Sequence, residues 1–313
     1  MTSPANAANP LISVILACYN QEKFVAEAVN GVLSQTYAPL DVVIVDDCST
    51  DRTPQIITAE LARHPARSDI RFVRNEQNLT TRVSMPKALG MIKGDFVVIG
   101  CGDDIMLPDM VAEMAKVWIE ENVSLVTINA SYIDERSNPL HRFYRDPNVR
   151  ADDSFETLAR DGVNACCFGP VLGFERELYD TFGWTPAHLT AIDIMFPFYA
   201  YLRKGARFIQ QPLLKYRVNA GNTSLSLGAE KSDGLEKLIT LERIRYVHLA
   251  HALFMREQLE ALRVRMPQRH AELERRIAPL LAIQTAEAAK KFVEARIKLD
   301  QARQQAGATA RPA

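Results

Sequence analysis

Apolar residues in the first 130 positions follow two alternating patterns. Short, nearly continuous runs of β-branched and other apolar residues occupy positions 11–17, 42–45, 70–73, 96–99 and 125–128. Between these runs, apolar residues return every three or four positions, which is the spacing of a helix that covers one face of a sheet. The alternation predicts five buried strands joined by helices, as in an α/β domain built around a mostly parallel sheet.

Helices are predicted where the spacing changes to three and four. The predicted segments are 22–33, 54–62, 87–91 and 108–118. Pro54 and Pro108 stand at the start of two of them, and proline is tolerated there because its missing N–H group would have no partner in the first turn. The same reasoning, applied to the less regular part that follows, predicts further strands at 169–174, 207–209 and 213–216 and a helix at 175–182.

The strand pattern ends near residue 230. Apolar residues then step by three and four through a sequence rich in Arg, Lys, Glu and Gln, which predicts long helices. We expect a helical hairpin broken at Pro267 and kinked or restarted at Pro279. The predicted organisation is a domain over residues 1–228, a helical extension over residues 229–303 and a disordered tail over residues 304–313.

Composition and charge narrow the class of protein. The chain has 313 residues, of which 47% are hydrophobic, so it can bury a large core. Its formal net charge of -1 offers no broad basic face, and we therefore do not expect nucleic acid as a partner. Residues 230–313 hold 16 Lys and Arg against 11 Asp and Glu, whereas the whole chain holds 37 against 38, so composition also changes near residue 230.

Several kinds of site and segment are missing from the sequence. No apolar run reaches about 18 residues and positions 1–10 do not resemble a secretory signal, so a cytoplasmic protein is expected. The sequence contains neither GxGxxG nor GxxxxGK[ST], which argues against a dinucleotide oxidoreductase and a P-loop protein. No CxxC pair is present, so the five cysteines are expected to be buried thiols: Cys18, Cys48, Cys101, Cys166 and Cys167.

Acidic residues follow two of the predicted strands. Asp46 and Asp47 come directly after positions 42–45, and Asp103 and Asp104 come shortly after positions 96–99. In open α/β sheets a ligand binds just beyond the carboxyl ends of the strands. We therefore predict that the two acidic loops converge on one ligand, with Asp46 capping backbone amides rather than touching the ligand.

Three segments in this order resemble the inverting glycosyltransferases of family 2. They are ISVILACYN at 12–20, VIVDDCSTDRT at 43–53 and GDFVVIGCGDDIMLPD at 94–109, and the resemblance extends over about residues 11–225. Weaker matches are GPVLGFERELYDTFG at 169–183 and LLKYRVNAGNTS at 213–224. The resemblance implies a GT-A fold, in which helices flank a mixed, mostly parallel sheet, here followed by a C-terminal α-helical extension.

The resemblance also implies a donor site for a nucleotide sugar, expected to be a UDP-sugar. Asp104 is expected to bind Mn2+ or Mg2+, and Asp103 to contact the ribose or the metal. Both ions prefer oxygen ligands, and either would neutralise a departing diphosphate. Asp47 is expected to accept a hydrogen bond from the uracil ring, which Tyr19 and the backbone of Ala17 would flank.

Catalysis by inversion needs a general base for the acceptor hydroxyl. The resemblance assigns this role to Asp193 in TAIDIMFPFYAY, although Ile192 replaces the usual preceding Glu and Tyr199 replaces a usual Arg. Arg82 is a candidate for contact with the diphosphate or ribose. Arg217, Asn222 and Ser224 are candidates for contact with the diphosphate or for a lid over the donor. Three further departures from the family pattern are Pro86 for an Asn, Cys101 for an Asp and Asn219 for a His.

These inferences predict a metal-dependent transferase that moves a sugar onto a hydroxyl of a saccharide or glycolipid acceptor, in surface polysaccharide or glycolipid synthesis. Two alternatives stay open: a sugar-nucleotide nucleotidyltransferase and a non-catalytic scaffold that kept the fold. The apolar stripe of the C-terminal helices must be covered. We expect self-association or docking to a partner there, with peripheral contact at the cytoplasmic face of a membrane as the second possibility.

Overall fold

A computed structural model describes residues 9–64, 69–148, 154–161, 170–184, 189, 192–219 and 234–309 of the chain; for residues 161, 192–194 and 306–309 it describes the backbone alone. The chain divides into two compact units. Unit 1 comprises residues 1–153, 167–185 and 199–218, and unit 2 comprises residues 154–166, 186–198 and 219–313.

Unit 1 contains a mixed sheet, with nine strands among the described residues. Their bounds are β1 (Ile12–Cys18), β2 (Leu40–Asp46), β3 (Ile70–Arg74), β4 (Phe96–Cys101), β5 (Ile105–Met106), β6 (Leu125–Ile133), β7 (Pro139–Phe143), β8 (Leu172–Glu175) and β9 (Ala206–Arg217). The order across the sheet is β3-β2-β1-β4-β8-β6-β9-β5, and β7 pairs with β6.

The first half of the sheet is parallel, because helices carry the chain between its strands. Strands β3, β2, β1 and β4 pair in parallel, whereas β8 pairs antiparallel with both β4 and β6. Both β1 and β2 are buried at almost every position, as expected for central parallel strands. The helices in this part of the chain are α1 (Val25–Leu33), α2 (Thr53–Ala62), α3 (Thr80–Leu89) and α4 (Met110–Glu121).

A buried polar network fixes the register at the amino ends of β1 and β2. The Asp41 carboxylate accepts hydrogen bonds from Ser13 Oγ (2.8 Å) and Lys93 N (2.8 Å), and it pairs with Arg71 at 2.6 Å. Ser13 Oγ in turn accepts from Gly94 N at 2.8 Å. The carboxyl ends of these strands therefore reach the opposite edge in a defined register.

The predicted strands of the first 130 residues are all present. The bounds of four strands differ from the predicted bounds by two residues or fewer, and the fifth strand, β6, extends to Ile133. The two strands predicted at 207–209 and 213–216 are one strand, β9, whose register with β6 shifts near Asn129. Neither β5, with two residues, nor β7, exposed at every position, carries an apolar pattern that could have predicted it.

Five further helices lie among the described residues: α5 (Phe155–Asp161), α6 (Arg176–Phe182), α7 (Ile192–Leu202), α8 (Gly234–Arg265) and α9 (Pro267–Thr309). One residue separates α8 from α9. The ion pair Arg296–Glu242 (3.1 Å) and the contact between the rings of Tyr246 and Phe292 show that α8 and α9 form an antiparallel hairpin. The predicted break at Pro267 is confirmed, and Pro279 lies inside α9 without restarting it.

The predicted domain boundaries stay predictions. The boundary at 228 and 229 falls within residues 220–233, and residues 310–313 of the expected tail also lie outside the described residues. Unit 2 includes two short earlier segments, so the compact units are not consecutive stretches of the chain. Among the described helices, none combines the length and the apolar composition that crossing a bilayer requires.

Candidate functional site

Two loops leave the sheet on either side of the end of β1. Asp47 N donates to Cys18 O at 2.9 Å, and Gly102 N donates to Ala17 O at 2.8 Å. Since neighbouring strands lie about 4.8 Å apart, these loops start roughly 10 Å from each other. The two loops therefore leave the same edge of the sheet, and their convergence on one ligand stays a prediction.

Asp46 has a structural role at this edge. Its side chain is fully buried, accepts a short hydrogen bond from Ser49 Oγ and accepts a second from Ser49 N at 3.1 Å. Arg74 Nε lies 3.2 Å from the same carboxylate. Asp46 therefore holds the turn after β2, as predicted, and leaves the following residue to face the site.

Asp47 is 8% exposed, and hydrogen bonds hold one of its two carboxylate oxygens. Its Oδ1 accepts hydrogen bonds from Asn75 Nδ2 (2.8 Å) and Leu79 N (3.0 Å). Within the described part of the chain no group donates to its Oδ2. The carboxylate is thus fixed in orientation while one oxygen can still accept an N–H group from a ligand.

The second acidic loop brings three ligating atoms together. A carboxylate oxygen of Asp103, one of Asp104 and Cys101 Sγ all lie within 4.8 Å of one another. Asp104 is 6% exposed, and its Oδ1 accepts from Arg217 N at 2.9 Å. Burial and the neighbouring Asp103 raise the pKa of Asp104 to about 8, against the opposing effect of Arg217. Two adjacent carboxylates that resist ionising together suit a divalent cation, which prefers such oxygen ligands.

Arg217 has no exposed surface, and its hydrogen bonds support the acidic loop. Its guanidinium stacks 4.7 Å above the ring of Phe24. The acceptors of its N–H groups are Asp103 O (2.8 Å), Asp134 O (3.0 Å), Ser137 Oγ (3.0 Å) and Glu27 through a short ion pair. The expected contact of Arg217 with a diphosphate does not occur in this arrangement, because protein acceptors enclose the guanidinium.

The remaining predicted donor contacts lie along the border of the site. Tyr19, directly after β1, is 45% exposed, but the Ala17 carbonyl is already occupied by Gly102 N. Arg82 is exposed on α3, one turn beyond Leu79, whose N–H group binds Asp47. Tyr19 and Arg82 are therefore exposed to a ligand, and the place of the Ala17 backbone beside the base stays a prediction.

Asp193 is the second residue of α7, and its side chain lies outside the described residues. The same holds for Asn222 and Ser224 of the late loop and for Cys166 and Cys167. The assignment of the general base therefore stays a prediction from the sequence.

Asn75 and Glu27 belong to this site although sequence reasoning did not select them. Asn75 follows β3 and its N–H group donates to Asp46 O at 2.9 Å, so its place after a strand end was a usable signal. Glu27 has no such signal, because a Glu on a surface helix is common. Its partner, Arg217, is 190 residues away in the sequence.

Known proteins resemble this chain over different lengths. The model of the family described as "Glycosyl transferase family 2" matches residues 13–183. An uncharacterized glycosyltransferase of Methanocaldococcus jannaschii is 32% identical over 137 residues, which are 43% of this chain and 46% of that protein. The match to this relative therefore spans somewhat less than half of either protein.

Two solved structures are similar over most of the chain. TarS of S. aureus in complex with UDP-GlcNAc superposes with a TM-score of 0.58 at 18% identity, covering 94% of this chain and 92% of that one. A mannosyltransferase of Pyrobaculum calidifontis in complex with GDP-Man and Mn2+ gives a TM-score of 0.54 at 19% identity, covering 94% and 88%. At these identities the likeness shows the fold alone.

Proposed function

Because this chain belongs to glycosyl transferase family 2, we propose that it transfers a sugar from a nucleoside diphosphate sugar to an acceptor hydroxyl. Its fold is GT-A, as the sequence predicted. The observation that carries the proposal is the placement of Asp47 and the Asp103–Asp104 loop on either side of β1, each held by a backbone hydrogen bond. A nucleotide sugar presents a base and a diphosphate to such a pair of loops, and this edge of the sheet is where α/β folds bind ligands.

Asp103 and Asp104 are the proposed ligands of a divalent cation, Mn2+ or Mg2+. When bound, such a cation supplies positive charge to the departing nucleoside diphosphate. Their closeness and the raised pKa of Asp104 support this assignment. Arg217 is proposed as a positioning residue, since it holds the backbone of Asp103 and the carboxylate of Asp104.

The donor is proposed to be a UDP-sugar. Asp47 offers a carboxylate oxygen that suits a ring N–H group, which uracil has between its two carbonyl groups. Tyr19, exposed beside it, is proposed to cover the base, and Arg82 to contact the diphosphate or the ribose. One of the similar structures holds UDP-GlcNAc and the other holds GDP-Man, so the base is a matter for experiment.

Asp193 is the proposed general base. It would take the proton of the acceptor hydroxyl while that oxygen attacks the anomeric carbon from the face opposite the leaving group, which inverts the configuration. The sequence motif around Asp193 supports this role. The proposed acceptor is a saccharide or a glycolipid.

The decisive experiment incubates the full chain with UDP-sugars, GDP-sugars and an acceptor panel in the presence of Mn2+ or Mg2+. We expect release of a nucleoside diphosphate and a rate that falls at least 100-fold in Asp104→Asn, since it removes a proposed metal ligand. Asp180→Asn, an exposed carboxylate on α6, is the matched control and is expected to keep full activity. Release of pyrophosphate from UTP and a sugar phosphate would instead identify a nucleotidyltransferase. Absence of any nucleotide-sugar binding or hydrolysis would favour a scaffold.

Asp47→Asn tests the choice of base separately. We expect UDP to raise the melting temperature of the wild-type protein more than GDP or CDP does, because a ligand selective for the folded state stabilises it. The variant is expected to lose this preference for UDP. Equal stabilisation by all three nucleotides in the wild-type protein would contradict the role of Asp47.

A further inference from the structure

A second group of ligating side chains lies in unit 2, at the tip of the hairpin formed by α8 and α9. Glu260 comes from the last turns of α8, and His270 and Glu274 come from the first turns of α9. One ligating atom of each residue lies within 4.8 Å of those of the other two. His270 and Glu274 are four residues apart, so they share one face of α9. We call Glu260, His270 and Glu274 the hairpin-tip cluster.

The backbone of the turn holds this cluster in place. Met266, the one residue between the helices, donates from its N–H group to Leu262 O at 2.7 Å, and His270 N donates to Met266 O at 2.9 Å. These two hydrogen bonds fix the end of α8 relative to the start of α9. The tight turn therefore brings the three side chains together, with no long loop between the two helices.

His270 is a buried imidazole that lacks its usual hydrogen bonds. It is 5% exposed, and its Nε2 has no hydrogen-bond partner among the described residues. Its Nδ1 lies 3.7 Å from a Glu274 carboxylate oxygen, which is beyond hydrogen-bond distance. Burying a polar ring without hydrogen-bond partners is unfavourable, unless water or a ligand binds its nitrogen atoms.

The two carboxylates of the cluster also lack a counter-charge. In the part of the chain that the structure describes, neither Glu260 nor Glu274 pairs with a Lys or Arg. Two arginines nearby in the sequence pair with other carboxylates, Arg269 with Glu272 at 2.6 Å and Arg276 with Glu156 and Glu272. Like charges at this separation repel, and a cation between them would remove the repulsion.

We propose that the hairpin-tip cluster binds a divalent transition-metal ion, of which Zn2+ is the best match. One imidazole and two carboxylates are a ligand set suited to Zn2+, with water as a fourth ligand. A His four residues from a second ligand on one helix is also the spacing used by helical zinc sites. The bound ion links α8 to α9 and stabilises the hairpin. This site is separate from the acidic loop of unit 1 and does not depend on the proposed transferase activity.

The test titrates Zn2+ into metal-free full chain and measures stoichiometry, affinity and melting temperature. Two double variants are matched: Glu260→Gln with Glu274→Gln removes the two proposed carboxylate ligands, and Glu257→Gln with Glu294→Gln removes two other exposed carboxylates from the same two helices. We expect the first pair to lose one equivalent of Zn2+, or to bind it at least 10-fold more weakly, and the second pair to behave as the wild-type protein.

A third double variant, Asp103→Asn with Asp104→Asn, removes the acidic loop as a competing site. It is expected to retain the hairpin-tip equivalent of Zn2+ and the rise in melting temperature that accompanies it. The ring resonances of His270 are expected to shift on addition of Zn2+. Unchanged Zn2+ binding in the Glu260 and Glu274 pair, or loss of all Zn2+ binding in the Asp103 and Asp104 pair, would overturn the proposal.

Discussion

At the scale of single residues, Asp104 and Arg217 have different roles at the acidic loop. Asp104 is buried beside Asp103, so ionising both carboxylates is unfavourable without a cation. Arg217 is buried behind them and joins the loop to the Asp134 backbone and to Glu27. A cation would therefore favour the ionised form of Asp104, while Arg217 keeps the geometry of the loop.

Asp104→Asn is expected to stabilise the metal-free protein at high pH. A carboxyl group whose pKa is raised to about 8 keeps a proton that the unfolded chain releases, so its contribution to stability falls as the pH rises from about 4 to 8. The variant should exceed the wild-type free energy of unfolding at pH 8.5 by at least about 1 kcal/mol and match it near pH 4.

Denaturant unfolding in the presence of a chelator measures this difference across the pH range. Adding Mn2+ is expected to reverse the order at high pH, since the wild-type protein alone keeps both carboxylates. A variant that is less stable than the wild-type protein at every pH without metal would contradict the raised pKa of Asp104.

Arg217→Lys is expected to lower the free energy of unfolding by about 2–4 kcal/mol, because a single ammonium cannot reach acceptors spread over four residues. The loss should be accompanied by weaker cation binding at the acidic loop, which a purely structural residue elsewhere would not cause. Arg52→Lys is the control: its side chain is 79% exposed and pairs with Glu22, so a change within about 0.5 kcal/mol is expected. Isothermal titration with Mn2+ and denaturant unfolding measure the two effects.

At the scale of elements, the approach of β4 to β1 depends on one residue without a side chain. A Cβ atom at Gly94 would lie 2.6 Å from Ser13 N and 2.7 Å from Leu11 O, and neither backbone atom can move without disturbing β1. Because β1 lies between the two strands that lead to the acidic loops, its position sets the separation of the loops that carry Asp47 and Asp103.

Gly94→Ala is accordingly expected to destabilise the protein by about 2–3 kcal/mol through this overpacking. Gly90→Ala is the matched change: its new Cβ would lie 3.4 Å from Lys87 O, an ordinary contact, and the residue has a helical backbone. It is expected to be neutral or stabilising by up to about 1 kcal/mol. Thermal and denaturant unfolding distinguish the two, and an equal effect of both would refute the close approach of β4.

At the scale of the whole molecule, the two units have cores of their own. The core of unit 1 is formed by the sheet and its helices, with Val14, Ile44 and Val98 among its fully buried residues. In unit 2 the hairpin buries Leu262 and Leu281 completely. A chain with two such cores need not unfold in one step.

Leu281→Ala is therefore expected to cost about 3 kcal/mol, with the loss confined to unit 2. Hydrogen exchange measured by mass spectrometry should show faster exchange along α8 and α9 and unchanged exchange in β1 to β4. Ile283→Ala, two residues further on but 55% exposed, should change exchange by less than about 0.5 kcal/mol. Faster exchange in both units after Leu281→Ala would mean that the chain unfolds as a single cooperative body.

The sequence by itself determined the alternation of strands and helices in the first 130 residues and the hairpin that breaks at Pro267. Both follow from local rules: the period of apolar residues distinguishes a strand from a helix, and proline favours the first turn of a helix because it lacks an N–H group, although α9 also accommodates Pro279 in its interior. The acidic residues after two strands could also be predicted to converge, since parallel strands end at one edge of a sheet.

Only the tertiary structure decided which polar side chains are available to a ligand. Arg217 in a loop motif was expected to meet a diphosphate, yet its guanidinium is enclosed by Asp103, Asp134, Ser137 and Glu27. The strands β5 and β7 and the approach of Glu260 to His270 were likewise absent from any local pattern. The physical reason is that burial and pairing depend on partners far along the chain, and the energy of a polar contact is set by what surrounds it after folding.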